Sequence, residues 1–417
     1  LVFGSYITNQ KNNSFLMAKS KKAKSFSISQ MSQMIDKISD ETKIIIETEG
    51  EMGYINTDIY IMNALLSKSI LTGGVADDRI TIFAGPPNTG KSYLIYNIAR
   101  NAQKQGKFVI FIDTEHSVSR HALQGFGIKT DEEHLKLISS NKVEDLKIFL
   151  TKFLDGMKTA KDDGAEIPDI VIFLDSIGQL ASEKEKADAL EGKNKQDMTR
   201  AKSIKQLFRV INSDLGYLGI PMICTNHTYE DTTAFFPVPV MAGGKGAEYS
   251  ASTIVFLSIA KLKTGREDEL DLNSTGVLVT AQSKKNRIAK PKKVKFEIDH
   301  EYGTNKFRGL EFFCTPENFD KVGVAKGKKE EKDGVIGINP GGTRWYIKHL
   351  DKSVFEKNLW TPEVFTQEVL EALEPIIYKY FDYSSFEEQQ TFTEKMDNNE
   401  DIVDSDFDEL DEEDLFS

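Results

Sequence analysis

Cysteine is almost absent from this 417-residue chain. Cys224 and Cys314 are the only two and stand far apart, which argues against a disulfide scaffold or a cysteine-rich zinc module. Long apolar runs are missing too. No stretch approaches the length of a membrane-spanning helix, and the N-terminus lacks the apolar centre of a secretory signal, so a cytosolic protein without a membrane partner is expected. Positive charge is short overall, at a net −12, but the deficit is local. Residues 397–417 hold eleven acidic side chains and no Lys or Arg, which leaves the rest of the chain close to neutral and free to carry basic surfaces. With 39% hydrophobic and 28% charged residues, the chain has the make-up of a globular protein, long enough for two or three domains.

The most informative stretch is Gly85-Pro86-Pro87-Asn88-Thr89-Gly90-Lys91-Ser92, a complete G-x-x-x-x-G-K-[ST] pattern. An apolar strand (Ile80-Thr81-Ile82-Phe83-Ala84) precedes it and a helical pattern beginning at Tyr93 follows. Glycines at the two fixed positions let backbone N–H groups close around a phosphate chain. The helix start adds free N–H groups and the positive end of its dipole. Lys91 is expected at the β- and γ-phosphates, and the Ser92 hydroxyl on Mg²⁺. A glycine-rich surface turn is the plain alternative, and the strand–loop–helix context argues against it.

Other strands read as continuous apolar runs: Phe108–Asp113, Ile170–Ser176, Ile220–Asn226, 253–259, 277–282 and 294–298. Helices are expected from the phosphate loop to Gln105, over 143–157 and over 200–211. In the second, Val143, Leu146, Phe149, Leu150, Phe153 and Leu154 fall on one side. Such alternation predicts an α/β fold with a largely parallel sheet covered on both faces, whose ligand lies at the strands' carboxyl ends. Glu115, Asp175 and His227 fall there. Asp175 suits a Mg²⁺-holding carboxylate, or else a strand cap. Glu115 is the best candidate to orient the attacking water, and Asp113 suits a structural role.

Toward the N-terminus, Met17 is the expected natural start, with 1–16 upstream of it. An apolar stripe over 28–38 and a short strand at 43–47 form an arm that must bury itself on its own core or on a neighbouring subunit. Residues 326–332 read as a linker or exposed loop, 361–380 as a helix capped by Thr361-Pro362-Glu363 and kinked at Pro375, and the tail from 397 as disordered. The expected division is 1–16, an arm 17–50, an ATPase core 51–305, a small C-terminal domain 306–395, and an acidic tail 396–417.

IDTEH, VIFLDSIGQLAS, CTNHTYE and AGGKGAEYSAS, in this order after GPPNTGKS, resemble the core of the RecA-type recombinases, most closely the UvsX branch of tailed bacteriophages. The likeness is continuous from about Ile44 to Asp299. It implies a RecA-like P-loop fold, ATP and Mg²⁺ as cofactors, Gly85–Tyr93 and Asp175 as the nucleotide site, and Glu115 as the catalytic carboxylate. It also implies His227 as a γ-phosphate sensor, and Lys285 and Arg287 as cations reaching a neighbour's ATP. Without that context the last three read as a strand-end histidine and a solvated basic loop. One departure stands out: the position seven residues after Glu115, often an adenine-stacking tyrosine, is Ala122, with His121 beside it.

Two segments are expected to meet DNA. Lys184–Thr199, a polar loop, carries Lys193 and Lys195, with Arg200 just beyond. Thr228–Ala247 carries Phe235, Phe236, Gly243, Gly244 and Lys245, the aromatics suited to base stacking or else to packing on the next subunit. The resemblance implies an ATP-dependent protein that forms filaments on single-stranded DNA, pairs it with homologous duplex and exchanges strands. Single-strand-binding and mediator proteins would be its partners in the cytoplasm of an infected bacterium. The alternatives are a hexameric helicase on the same core, an ATP-switched assembly protein and, least of all, a P-loop small-molecule kinase.

Overall fold

The computed structural model describes residues 52–192, 199–231, 238–261 and 276–385, together with Met31, Gln33 and Lys37. Leu1–Glu51 and Met52–Ser417 are separate units. In the first, the three described residues are helical, and the expected strand at 43–47 lies outside the described residues. Among the described residues no helix is long and apolar enough to cross a membrane.

The second unit opens with β1 (Tyr54–Ile55), α1 (Tyr60–Ser67) and β2 (Val75–Ala76), which the sequence reading did not anticipate. The α/β core follows: β3 (Ile80–Gly85), α2 (Lys91–Lys104), β4 (Phe108–Asp113), α3 (Arg120–Gly125), β5 (Leu135–Ser139), α4 (Val143–Asp162) and β6 (Ile170–Asp175). Then come α5 (Glu183–Leu190), α6 (Thr199–Leu218), β7 (Met222–Asp231), β8 (Val238–Met241), α7 (Lys245–Ser250), β9 (Thr253–Lys261), β10 (Gly276–Asn286), β11 (Lys293–Asp299) and β12 (Gly303–Thr304). The main sheet runs β12-β11-β10-β9-β3-β7-β6-β4-β5. From β9 to β5 all neighbours are parallel, and β10 to β12 continue antiparallel.

The strands are apolar throughout because helices cover both faces. Every residue of β3 and β6 is buried. On one face Phe83, Phe111 and Phe173 join α1, α2 and the C-terminal elements; Phe111 and Phe173 stack at 5.8 Å. On the other, Ile82, Ile112, Ile172 and Met222 meet α4 and α6. In α6 the buried set Ile204, Leu207, Phe208, Ile211 and Leu215 repeats at helical spacing. Each such side chain contributes about 1.5–3 kcal/mol by leaving water. In α4 only Val143, Leu146, Leu150 and Leu154 are buried, while Phe149 is 39% exposed. The expected stripe was thus one residue row too wide.

Three other expectations are corrected. Lys184–Leu190 is helical, started by a Ser182/Glu185 capping box, instead of a loop; Lys193 and Lys195 lie outside the described residues. After β13 (Val324–Lys326), residues 328–332 form β14 (Lys328–Lys332), paired with β15 (Val335–Asn339). The last described helix (Gln367–Phe381) starts at Thr366, whose hydroxyl accepts from Val369 N, and runs through Pro375. Thr361–Glu363 is a turn before it.

Candidate nucleotide site and the hairpin beside it

Strand register assembles the site. Gly85 of β3 is level with His227 of β7, and Asp113 of β4 with Asp175 of β6. One edge of the sheet therefore gathers the glycine loop, both acidic strand ends and the histidine. The loop itself needs its glycine at position 90, where the backbone is left-handed (φ 79°) and an added Cβ would meet Ile298 Cδ1 at 2.5 Å. At Gly85 a Cβ would come within 2.4 Å of the Leu257 carbonyl. Asn88 is also left-handed, at φ 63°. Pro86 and Pro87 line the exposed outer turn. The Thr89 hydroxyl donates to Pro86 O (2.9 Å) and fixes the loop from inside.

Lys91, the first residue of α2, is buried, and its ammonium donates to Gly85 O (3.0 Å) and Pro86 O (2.6 Å). Burial holds its pKa below the usual lysine value, while Asp175 and Glu115 act against that. Ser92 Oγ donates to Asp175 Oδ2 (2.9 Å), and Thr225 Oγ1 donates to Oδ1. Burial raises the Asp175 pKa; the two hydroxyl bonds oppose it, and Glu115 and Asp113 add to it. Thr225 was missed in the sequence reading, although a hydroxyl in an apolar strand beside the acidic strand end was a usable signal. The Tyr93 hydroxyl accepts from Thr304 N (3.1 Å), and its ring meets Phe126 edge-on.

Asp113 is structural, as expected: its carboxylate accepts from Glu115 N (3.1 Å) and Val118 N (2.9 Å), shaping the turn that presents Glu115. Glu115 Oε1 accepts from Ser176 Oγ (2.7 Å) and lies 2.9 Å from His227 Nε2. A carboxylate oxygen only accepts, so Nε2 carries the proton in this pair. Ser176 is the second residue missed.

His227 leads directly into a hairpin. The strand ends five residues beyond the expected Asn226, because Thr228–Asp231 pairs antiparallel with β8. Ala242 N donates to His227 O (2.9 Å) and Asn226 Nδ2 to Ala242 O (3.0 Å), closing the hairpin's base. Its tip, with Phe235 and Phe236, lies outside the described residues. Gly243 and Gly244, both with positive φ, turn the chain against α6, where their Cβ atoms would press on Ile204 and Ala201. Lys245 is exposed at the start of α7. Arg200, near the start of α6, donates to the Gly178 carbonyl just past Asp175. Ala122 and His121 are exposed on α3.

Lys285 and Arg287 are not at this edge. Register places Lys285 beside Ile254 and Ile254 beside Ile82, three residues before Gly85. Strand spacing then separates the Lys285 and Gly85 backbones by roughly 14 Å. Lys285 Nζ instead donates to the last carbonyls of α7, Glu248 O (2.8 Å) and Tyr249 O (3.2 Å). Arg287, just past the end of β10, is exposed.

The donor set fits a nucleoside triphosphate with a divalent cation. A buried ammonium and a glycine-dependent loop suit the phosphates, and a hydroxyl–carboxylate pair suits a cation that shares its ligands with them. Among the described residues no group of three or more His, Cys, Asp or Glu forms a separate metal site.

Comparison with known proteins agrees with this geometry. The RecA N-terminal domain model matches residues 28–305. The "Recombination and repair protein" of Enterobacteria phage T4 is 33% identical over 265 residues, 63% of this chain and 63% of its own length. Protein RecA of Arthrobacter sp. (strain FB24) is 26% identical over 253 residues, 59% of this chain and 65% of its own. Protein RecA of Bifidobacterium breve is 27% identical over 259 residues, 61% of this chain and 60% of its own. The chain thus spans under two thirds of the length of these curated relatives. On the match across residues 28–305 and the phosphate-loop fold that occupies them, the chain belongs to the RecA family.

Proposed function

We propose that this protein is a DNA-dependent ATPase that assembles on single-stranded DNA, pairs it with homologous duplex and exchanges strands. Recombination, repair and recombination-dependent replication in the cytoplasm of a phage-infected bacterium are its setting. The observation that carries the reading is the hydrogen-bonded path from Glu115, at the nucleotide edge, to the hairpin. Glu115 touches His227, and the His227 backbone closes the base of β7–β8. The same segment therefore senses the nucleotide site and carries the aromatics Phe235 and Phe236.

Gly85–Tyr93 would hold the phosphates, with Lys91 supplying charge and Ser92 and Asp175 the ligands of Mg²⁺. The bound cation would draw charge from the phosphate oxygens as the terminal bond weakens. Glu115 would orient the attacking water and accept its proton, a role its three neighbours tune: Asp113 shapes its turn, Ser176 holds one oxygen, and His227 competes for the same oxygen. Lys285 and Arg287 would serve a neighbouring protomer, since strand geometry keeps them from their own loop. Lys193, Lys195, Arg200, Gly243, Gly244 and Lys245 complete the proposed DNA surface, single-strand-binding and mediator proteins the proposed partners. The names of the relatives support recombination over a ring-shaped helicase on the same core.

A labelled-strand exchange assay with ATP and Mg²⁺ tests the proposal. Homology-dependent product is expected; ATP turnover without exchange would leave only an ATP-switched assembly protein.

A further inference from the structure

Beyond Asp113 and Asp175, the last residues paired between β4 and β6, one side chain ties the two strand ends together. Thr114 and Ser176, the residues that follow, are both enclosed, at 2% and 1% exposure. The Thr114 amide donates to Asp175 O (2.8 Å). The Thr114 hydroxyl accepts from Ser176 N (2.7 Å) and lies 3.0 Å from Asp175 O and 2.8 Å from Ser176 O. A hydroxyl offers one proton and two lone pairs, so it takes the Ser176 N–H and gives its own proton to one of the two carbonyls at a time.

This junction lies between the two carboxylates of the site. Glu115 follows Thr114 in the chain, and Asp175 precedes Ser176. Ser176 Oγ then donates to Glu115 Oε1 (2.7 Å), which completes a circuit from Thr114 through Ser176 back to Glu115. Valine would fill the same buried space as Thr114. Only the hydroxyl can hold the Ser176 N–H, and a buried N–H left without a partner is costly.

We infer that Thr114 is a positioning residue for ATP hydrolysis: its hydroxyl holds the Ser176 backbone, so that Ser176 sets the Glu115 carboxylate at a fixed distance from Asp175. The inference rests on Glu115 being the base in the proposed function. Asp113 shapes the turn on the Glu115 side alone, through the amides of Glu115 and Val118. Thr114 joins that turn to the strand that carries Asp175. A reacting group displaced by about 1 Å loses about 10²-fold in rate. The Thr114 hydrogen bonds go to Asp175 and Ser176 and not to the loop Gly85–Ser92, so nucleotide affinity should not depend on them.

The test is Thr114→Val in the full chain, with Thr114→Ser returning the hydroxyl and Thr114→Ala as a second deletion should the valine variant not fold. With saturating single-stranded DNA, Thr114→Val should lower kcat by about 10–10²-fold. The KM for ATP and the affinity for a fluorescent ADP should stay within about twofold of wild type, and Thr114→Ser should recover most of the kcat. In a Glu115→Gln background Thr114→Val should cost nothing more, because the group it positions is already gone. Thr57→Val is the control for stability. Thr57 is equally buried, between β1 and α1, and its hydroxyl bonds to Asn63 Oδ1 (2.7 Å). That variant should lower the melting temperature and leave kcat unchanged. The inference is overturned if Thr114→Val keeps the wild-type kcat, if it costs as much in the Glu115→Gln background as in the wild type, or if Thr57→Val loses as much kcat. Wild-type turnover in Glu115→Gln alone would instead overturn Glu115 as the base, and this inference with it.

Discussion

Glu115 is held by two hydrogen bonds that share one oxygen, from Ser176 and from His227. As the proposed general base it would be positioned by these bonds, neither of which occupies Oε2, and its chemistry would depend on where His227 turns. Glu115→Gln keeps the size and the acceptor oxygen but removes the base. Turnover should fall by about 10²–10⁴-fold while nucleotide and DNA binding persist, as steady-state kinetics and a binding titration would show. Asp175 makes a different prediction. Its pKa is raised by burial, so the folded state holds the acid's proton more tightly than the unfolded chain does. Stability from this group is therefore present at low pH and declines as pH climbs from the ordinary carboxylate value through the raised one. At neutral pH Asp175→Asn should raise the melting temperature by about 1–3 °C, or flatten its dependence on pH in that window, and abolish Mg²⁺-dependent turnover. A variant that melts lower at neutral pH and keeps the wild-type pH dependence would show that the hydroxyl bonds outweigh burial.

At the scale of elements, the β7–β8 hairpin divides into a described base and a tip that carries Phe235 and Phe236. The base is tied to the nucleotide edge by His227 and Asn226; the tip has the aromatics. Phe235→Ala with Phe236→Ala should weaken single-stranded DNA binding by about 1–3 kcal/mol per stacked base lost, measured by fluorescence anisotropy, with DNA-free ATP turnover unchanged. Unchanged DNA affinity would assign the pair to subunit packing. Much of this scale was legible in the sequence. Phe108–Asp113 was read to the residue and Ile170–Asp175 to within one, because a strand buried on both faces is a bare apolar run with an abrupt polar end. The extension of β7 to Asp231 was not, because TYED is polar and is made a strand by its partner β8 and not by burial. Lys184–Leu190 was read as loop for the same reason: none of its residues is buried, so a helix held by its cap leaves no apolar period. Thr225 escaped because its partner, Asp175, is on another strand, and Ser176 because its partner, Glu115, is on the turn after β4; only the register reveals either.

Across the whole molecule, strand register sets the Lys285 backbone roughly 14 Å from Gly85 of the nucleotide loop. In the proposed filament the site would be completed head to tail, each interface joining one loop to a neighbour's cations. Lys91→Ala and Arg287→Ala should each be inactive alone. Mixed in equal amounts they should regain turnover at about a quarter of the interfaces, where an intact loop meets an intact arginine. No recovery on mixing would place Arg287 outside the chemistry.

The coupling of nucleotide to DNA through His227 is most directly tested by single-stranded DNA affinity, measured with ADP and with a non-hydrolysable ATP analogue. The wild-type chain should bind more tightly with the analogue, and His227→Ala should bring the two affinities together while still binding both nucleotides. A His227→Ala chain that keeps the full wild-type difference would contradict the account and leave the histidine as a brace for Glu115 alone.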